Sequence, residues 1–257
     1  MRGDVMRSFL FAAVGTLFTF GMTALGAALV FFFRRRISPR VDRLCFGLAG
    51  GVMSAAAVFS LLLPAVEQVQ AADGAPWVTA SLGFALGAGL MMALDGVLAA
   101  RRTEADGAWR TRAMLLSAVT LHNIPEGMAV GLAFAAAAGK GGAAPAAACA
   151  LALGIGIQNI PEGAAVALPL RQAGFSRRRS FAFGAASGVV EPVFGMLAAL
   201  SMSLGSGMMP GLMAFSAGAM MWVVFSEMLP RSGEKRDGAL AAAAGYLLMM
   251  ALDLALG

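Results

Sequence analysis

The middle of the chain contains two near-copies of one short block, His122-Asn123-Ile124-Pro125-Glu126-Gly127 and Gln158-Asn159-Ile160-Pro161-Glu162-Gly163. Each block lies inside an apolar stretch that is long enough to cross a lipid bilayer. A carboxylate at the depth of the hydrocarbon is costly unless it is paired, binds an ion or faces a wet cavity. The two blocks, one of which holds the only histidine of the chain, therefore predict a cation site inside a membrane protein.

The composition of the whole chain also indicates a membrane protein. Of its 257 residues, 59% are hydrophobic and 13% are charged, and the mean hydropathy is +0.78. An open sheet cannot satisfy its backbone groups in lipid, so the apolar stretches are predicted to be α-helices. The predicted spans are 8–33, 44–66, 77–100, 113–138, 146–170, 180–203, 208–229 and 238–256. We expect an all-α integral membrane protein with eight transmembrane helices, the first of which is too long for a signal peptide.

The positions of the basic residues predict the orientation of the chain. All but three of its 19 lysines and arginines lie around the connections that follow the first, third, fifth and seventh spans. The positive-inside rule places these connections in the cytoplasm and both termini outside, and we expect the bacterial inner membrane as the location. The net charge of +5 then reflects topology, and no nucleic-acid partner is expected. Cys45 and Cys149 fall at opposite faces, so a disulfide between them is not expected.

Two sequence similarities predict an inverted repeat. The string FSLLLP at 59–64 ends the second span and resembles FSEMLP at 225–230, while MMALD recurs at 91–95 and 249–253. The order is the same, but the matching spans run in opposite directions, which is typical of inverted-topology repeats. We therefore expect one transmembrane domain, 1–257, in a 3+2+3 arrangement. Its repeats would cover about 8–100 and 180–256 around the central pair 113–170.

Helical spacing predicts that both blocks present polar side chains to one shared site. Residues three and four positions apart lie on the same helix face, so His122 and Asn123 fall on the face of Glu126. Gln158 and Asn159 repeat this spacing before Glu162. A short connection makes the two helices antiparallel neighbours, which brings both faces to the middle of the membrane. Glu191, a third mid-span carboxylate, is followed by Pro192 and is included in the site.

The proline and glycine of each block predict unusual backbone contacts. Pro125 and Pro161 lack an N–H group, which leaves the carbonyls one turn earlier without their usual partners. Those oxygens become candidate metal or water contacts. Gly127 and Gly163 allow the backbone of a neighbouring helix to approach closely.

Four further acidic residues lie toward the ends of predicted spans. Glu67 and Asp253 lie toward the outside, whereas Asp95 and Glu227 lie toward the cytoplasm. They are candidates for the entrance and the exit of a cation pathway. The alternative is that they reach water at helix ends without a role in transport.

The residues leave three other functions open. The buried carboxylates could be protonated and hydrogen-bonded between helices, or they could form a proton relay. A membrane-embedded metallohydrolase could use Glu126 or Glu162 as a base on metal-bound water, although the chain has no H-E-x-x-H block. A proton-coupled carrier of organic solutes is the third possibility.

Several of these segments resemble the ZIP family of divalent-metal transporters. The resemblance is carried by HNIPEG, QNIPEG, SGVVEP ending at Pro192 and FSLLLPAVE ending at Glu67. The string 154–163, with LPLR at 168–171, is similar to the GufA-like branch. The resemblance implies a homodimer of eight-helix protomers that moves metal into the cytoplasm and is not an enzyme. It also implies an elevator-like motion of helices one, four, five and six against the others.

The resemblance further implies a ligand set for one or two metal ions. The first position would use His122, Glu126, Gln158 and Glu162, with a thioether from Met53. The second would use Asn123, Asn159 and Glu191, with Glu126 and Glu162 bridging. Many relatives have Asp or His where this chain has Asn159 or Gln158, which weakens the expected hold on a second ion. This nitrogen and oxygen set suits Zn²⁺ best, with Cd²⁺, Fe²⁺ and Mn²⁺ as other substrates and no organic cofactor.

Overall fold

The structure of the chain is a computed structural model in which every regular element among the described residues is helical. It describes residues 2–32, 38–103, 108–138, 144–172, 174–201, 206–233 and 236–256. The helices form eight rods, which we number in chain order. These are α1 (Arg2–Ala28), α2 (Pro39–Ala71), α3 (Pro76–Thr103), α4 (Ala108–Ala138), α5 (Ala144–Gln172), α6 (Arg177–Ser201), α7 (Met209–Ser232) and α8 (Arg236–Leu256).

The length and hydropathy of the rods confirm the all-α membrane class. Seven of the rods are long and apolar enough to cross a membrane. The remaining rod, α4, is 31 residues long and carries the first block. Its crossing of the membrane, and hence the total of eight spans, stays a prediction.

The rods pack mainly as four pairs, α1 with α5, α4 with α6, α2 with α8 and α3 with α7. In the pair α2 and α8, Arg43 bonds Asp237 at one end and Ser60 bonds Asp253 at the other. Because residue numbers rise together along both helices, this pair is parallel. In the other three pairs, glycine approaches also show residue numbers rising together: 18–27 of α1 lie along α5, 127–131 of α4 along α6, and 83–87 of α3 along α7.

Two rods contain a π-helical segment that the sequence analysis did not predict. Ala56–Leu62 in α2 lies directly before Leu63-Pro64, and Val224–Met228 in α7 lies directly before Leu229-Pro230. A proline inside a helix removes one hydrogen bond and crowds the carbonyl one turn earlier. The wider π turn accommodates that carbonyl without ending the helix.

The other prolines have different effects. α4 continues through Pro125, and α5 continues through Pro161 and Pro169. The sixth predicted span, 180–203, is instead broken into Arg177–Ser187 and Val190–Ser201. The break, at 188–189, lies just before Glu191, which is the second residue of the new helical segment.

Glycines let neighbouring helices reach both blocks, as predicted. A Cβ atom on Gly163 would lie 2.0 Å from the carbonyl oxygen of Thr23 on α1. A Cβ atom on Gly127 would lie 2.3 Å from the carbonyl oxygen of Glu191 on α6. Any side chain at these positions would push α1 or α6 away, so the close approach predicted for Gly127 and Gly163 is confirmed.

Candidate metal centre

The two blocks meet in the interior of the bundle. The amide nitrogen Nε2 of Gln158 on α5 donates to Oε1 of Glu126 on α4 at 2.7 Å. Asn123, Glu126, Gln158 and Asn159 are fully buried, and only 4% of Glu162 is exposed. The structure therefore brings the described polar residues of both blocks into one buried region, as helical spacing predicted.

Glu191 joins this region from α6 and is held there by two other helices. Asn159 donates from Nδ2 to Oε2 of Glu191 at 2.9 Å, and Thr23 on α1 donates from Oγ1 to Oε1 at 2.8 Å. The Asn159 amide also donates to the backbone oxygen of Thr19 at 3.3 Å. Both oxygens of Glu191 thus have protein donors.

The amide side chains of the site all point their nitrogen atoms at protein acceptors. Asn123, for example, donates from Nδ2 to the backbone oxygen of Ser187 at 3.0 Å. Their oxygen atoms have no hydrogen-bond donor among the described residues, and the same holds for three carboxylate oxygens nearby. The unpaired oxygens are Oδ1 of Asn123 and Asn159, Oε1 of Gln158, Oε2 of Glu126 and both Oε1 and Oε2 of Glu162. A group of buried acceptors without donors suits a cation, because an unpaired buried oxygen is otherwise costly.

The carboxylates also repel one another. Glu126 interacts electrostatically with Glu162 and Glu191, and Glu162 also interacts with Glu191. Like charges at low dielectric strongly disfavour each other, so a divalent cation between them would be strongly attracted. Among the described side chains, however, no group of three His, Cys, Asp or Glu residues is close enough to hold one metal ion. The available donors are therefore carboxylates supplemented by amide oxygens.

Two predicted ligands, His122 and Met53, do not supply any of these oxygen atoms. His122 lies on α4, but its side chain is outside the part of the structure that is described. Met53 on α2 is fully buried and belongs to the main apolar cluster of the protein. Their roles as ligands stay predictions.

The two outer acidic residues share one cavity. Glu67 and Asp253 line a cavity of about 380 Å³ together with Ser60 and Gln68. Ser60 donates from Oγ to both carboxylate oxygens of Asp253, at 3.1 and 3.0 Å. The cavity lies where α2, α4 and α8 end and α5 and α7 begin, which is the end opposite to the basic connections.

The two inner acidic residues each have a protein partner. Trp222 on α7 donates from Nε1 to Oδ2 of Asp95 on α3 at 2.5 Å. Glu227 accepts from Nη1 of Arg231 at 2.9 Å. Each carboxylate is thus bound to a side chain of α7 near the end that carries the basic connections.

The contribution of α1 to the site was not predicted from the sequence. Thr16, Thr19 and Thr23 are fully buried and follow one another at spacings of three and four residues. That spacing places them on one face of the helix. The three threonines form a polar stripe at helical spacing in an otherwise apolar span, and this pattern in the sequence could have indicated that α1 contributes to the site.

Comparison with known proteins adds to this geometry. A family model described as ZIP Zinc transporter matches residues 100–253. Zinc transporter ZIP11 of Homo sapiens is 34% identical, over 96% of this chain and 97% of its own length. Zinc transporter GufA of Myxococcus xanthus is 35% identical, over 82% of this chain and 85% of its own. Zinc transporter ZIPB of Bordetella bronchiseptica is 36% identical, over 96% of this chain and 82% of its own.

The chain belongs to the ZIP family. The resemblance seen in the sequence is thereby confirmed, and so is the membrane location. ZIP proteins are transporters, so the hypothesis of a metallohydrolase is excluded and the chain is not an enzyme. In this ZIP protein, both blocks and Glu191 lie within the residues that the family model matches.

Proposed function

We propose that this chain carries divalent metal ions across the membrane into the cytoplasm, with Zn²⁺ as its principal substrate. The observation that carries the proposal is the set of buried oxygens without donors on α4 and α5. Its relatives are named zinc transporters. Oxygen atoms with one imidazole suit Zn²⁺, and they accommodate Cd²⁺, Fe²⁺ and Mn²⁺ with less preference.

Glu162 is the principal ligand in this proposal, because neither of its oxygens has a protein donor. Glu126 and Gln158 would complete the first position with one free oxygen each, together with His122 and Met53. A second ion would lie near Asn123, Asn159 and Glu191. Because both oxygens of Glu191 already have donors, the second position would bind more weakly than the first. Weak binding suits a carrier, which must also release its ion.

The entrance and exit are proposed at opposite ends of the bundle. The cavity with Glu67 and Asp253 would collect cations from outside, since carboxylates at its wall raise their local concentration. Its Ser60 contact keeps the Asp253 carboxylate directed toward α2. On the other side, Glu227 and Asp95 would form the exit path, since both lie toward the end that carries the basic connections.

Hydrogen bonds divide the described helices into two groups, which supports alternating access by an elevator-like motion. One group is α1, α4, α5 and α6, joined by bonds such as those of Asn159 and Thr23 to Glu191. The other is α2, α3, α7 and α8, joined by bonds such as Ser60 to Asp253. Among the described residues, one side-chain hydrogen bond links the groups, from Oγ of Ser216 to the backbone oxygen of Pro125 at 2.8 Å. Apolar side chains from both groups also meet in the main core cluster, and such contacts allow sliding because they have no fixed direction.

The helix pairs support the predicted inverted repeat. An exchange of α1, α2, α3 and α4 with α6, α7, α8 and α5 maps each of the four main pairs onto another. The π-helical segments of α2 and α7 also correspond in this exchange. We further propose a homodimer in the bacterial inner membrane, with both termini outside, as the sequence analysis expects.

Uptake of radiolabelled Zn²⁺ into proteoliposomes tests the proposal. Wild-type protein should accumulate Zn²⁺, and Glu162→Gln should reduce the initial rate at least about ten-fold, as expected when an ionic ligand is lost. His122→Ala should also reduce the initial rate of Zn²⁺ uptake. Asp237→Asn, which removes a carboxylate paired with Arg43 outside the site, should transport normally.

The same assay distinguishes the alternatives. A proton relay or an organic-solute carrier would show no saturable Zn²⁺ uptake, with or without a pH gradient. Wild-type uptake by well-folded Glu162→Gln protein would contradict the assignment of the site. Thermal unfolding of each variant separates loss of binding from loss of folding.

A further inference from the structure

A methionine of α8 lies against a glycine of α5, at the boundary between the two helix groups. A Cβ atom on Gly154 would overlap the Sδ atom of Met249 and would lie 3.5 Å from Cγ1 of Val52 on α2. The side chain of Met249 is fully buried. Because Gly154 has no side chain, the thioether of Met249 reaches the backbone of α5.

One face of α5 connects the outer cavity, this thioether and the metal centre. Leu151 lines the cavity, Gly154 contacts the sulfur atom, and Gln158 accompanies Glu126 in the centre. These three positions of α5 follow one another at spacings of three and four residues, which places them on one side of the helix. Since α5 begins at the end that holds the cavity, the sulfur atom lies between the cavity and the centre.

The residues of α8 follow the same order. Asp253 lines the cavity and accepts from Ser60, and Met249 lies one helical turn deeper on the same face. On α5, Oε1 of Gln158 has no hydrogen-bond donor among the described residues. An ion that moves from the carboxylate of Asp253 to this amide oxygen passes the sulfur atom of Met249.

We propose that Met249 is a specificity-determining residue, whose thioether is a soft ligand for ions that pass from the outer cavity to the metal centre. The inference rests on the proposed transport function and concerns the metal preference of the same pathway. Carboxylate and amide oxygens suit Mn²⁺, whereas thioether sulfur is a soft donor that suits Zn²⁺ and Cd²⁺ better. The sulfur atom therefore stabilises the softer ions at this step and has little effect on Mn²⁺.

Removal of the sulfur atom tests the proposal. Met249→Leu keeps an apolar side chain of similar volume. Cd²⁺ and Mn²⁺ are added as competitors of radiolabelled Zn²⁺ uptake into proteoliposomes by purified full-length protein. In Met249→Leu, the inhibition constant of Cd²⁺ should rise by about three- to ten-fold, as expected for the loss of one weak ligand. The inhibition constant of Mn²⁺ should stay within about two-fold of wild type, because a soft donor contributes little to its binding.

A second variant displaces the sulfur atom without removing it. Gly154→Ala adds a Cβ atom that would overlap Sδ of Met249, so the inhibition constant of Cd²⁺ should again rise more than that of Mn²⁺. Gly156→Ala is the control on the same helix. Its Cβ atom would instead lie 2.9 Å from Cε1 of Phe18 and 3.1 Å from Cγ of Met22 on α1. The ratio of the two inhibition constants should not change in this variant.

Met220→Leu is the matched control for the removal of sulfur. Met220 on α7 is fully buried and belongs to the same apolar cluster as Met249. The substitution is the same, but the residue is not on the face of α5 that joins the cavity to the centre. Both inhibition constants should stay within about two-fold of wild type, as expected for a swap that conserves volume.

The two competitors separate a ligand from a packing residue. A larger effect on Cd²⁺ than on Mn²⁺ in both Met249→Leu and Gly154→Ala would support the proposal. Equal effects on the two ions would show that Met249 contributes packing only, and unchanged constants in both variants would also overturn the inference. If Met249→Leu unfolds at a much lower temperature than wild type, Gly154→Ala decides between these outcomes. Absence of Zn²⁺ uptake by wild-type protein would instead overturn the transport function.

Discussion

Thr23 on α1 donates its hydroxyl proton to Oε1 of Glu191 on α6 at 2.8 Å, and both residues are fully buried. The other oxygen of Glu191 accepts from Asn159 at 2.9 Å. Glu191 is therefore satisfied by protein donors, whereas neither oxygen of Glu162 is. The carboxylates of the centre thus differ in how readily they can bind an ion.

Thr23→Val should lower the half-saturation constant for Zn²⁺ by about ten-fold and also lower the maximal rate, because one oxygen of Glu191 loses its protein donor and becomes available to the ion. A hydrogen bond to a charged group contributes about 1.5–3 kcal/mol, of which about 1.4 kcal/mol corresponds to ten-fold. Thr23→Ser keeps the hydroxyl and should restore the wild-type value.

Thr16→Val is the control for this experiment. Thr16 is also fully buried on α1, but its hydroxyl donates to the backbone of Ala12 within the same helix. Concentration-dependent uptake by all three variants measures the effect. An equal effect of Thr16→Val would show that packing of α1, and not the bond to Glu191, is responsible.

Asn159→Asp should strengthen metal retention more than it speeds transport. The added carboxylate attracts a divalent ion, but it replaces the donor to Glu191 with a like charge. The metal-free protein should therefore unfold at a lower temperature than wild type, and Zn²⁺ should raise its unfolding temperature by more. Metal content per protomer should move toward two ions.

Thermal unfolding with and without Zn²⁺ and measurement of bound metal test this variant. Asn159→Ala, which removes the donor without adding charge, separates the two effects. An unchanged affinity and metal content in Asn159→Asp would show that position 159 does not contact the metal.

Ser216→Ala should raise the maximal transport rate by about two- to five-fold. It removes a side-chain hydrogen bond between the two helix groups, and a neutral hydrogen bond contributes about 1 kcal/mol. If the groups slide during transport, this bond must break in every cycle. Ser54→Ala is the control, since Ser54 donates to Gly50 within α2. A lower rate in Ser216→Ala than in Ser54→Ala would argue against sliding at this interface.

Cysteine labelling should confirm the predicted orientation. Arg178→Cys lies at the end with the basic connections, and Ala75→Cys lies in the opposite turn before α3; both positions are exposed. In sealed right-side-out vesicles, an impermeant reagent should label Ala75→Cys but not Arg178→Cys. The native Cys45 and Cys149, of which Cys149 is exposed, must first be replaced by Ser. The reverse labelling pattern would place the termini in the cytoplasm.

The shared face of the polar residues in each block could be predicted from the sequence, because each block lies within one helix. Gln158, Asn159 and Glu162 lie within two turns of one helix, so their common face follows from helical geometry alone. The same reasoning could not find the π-helical segments of α2 and α7. A proline in an apolar helix permits a break, a kink or a bulge, and the surrounding helices decide which one forms.

The sequence by itself determined the membrane class, the helical structure and the identity of most candidate ligands. These follow from hydropathy and from the need to satisfy backbone groups in lipid, which act on each segment separately. Only the tertiary structure decided which residues the polar side chains contact. Thr23 and Glu191 are 168 residues apart, and Ser60 and Asp253 are 193 apart. Such contacts depend on how whole helices pack, because the close approach of backbones at Gly127 and Gly163 sets which side chains meet.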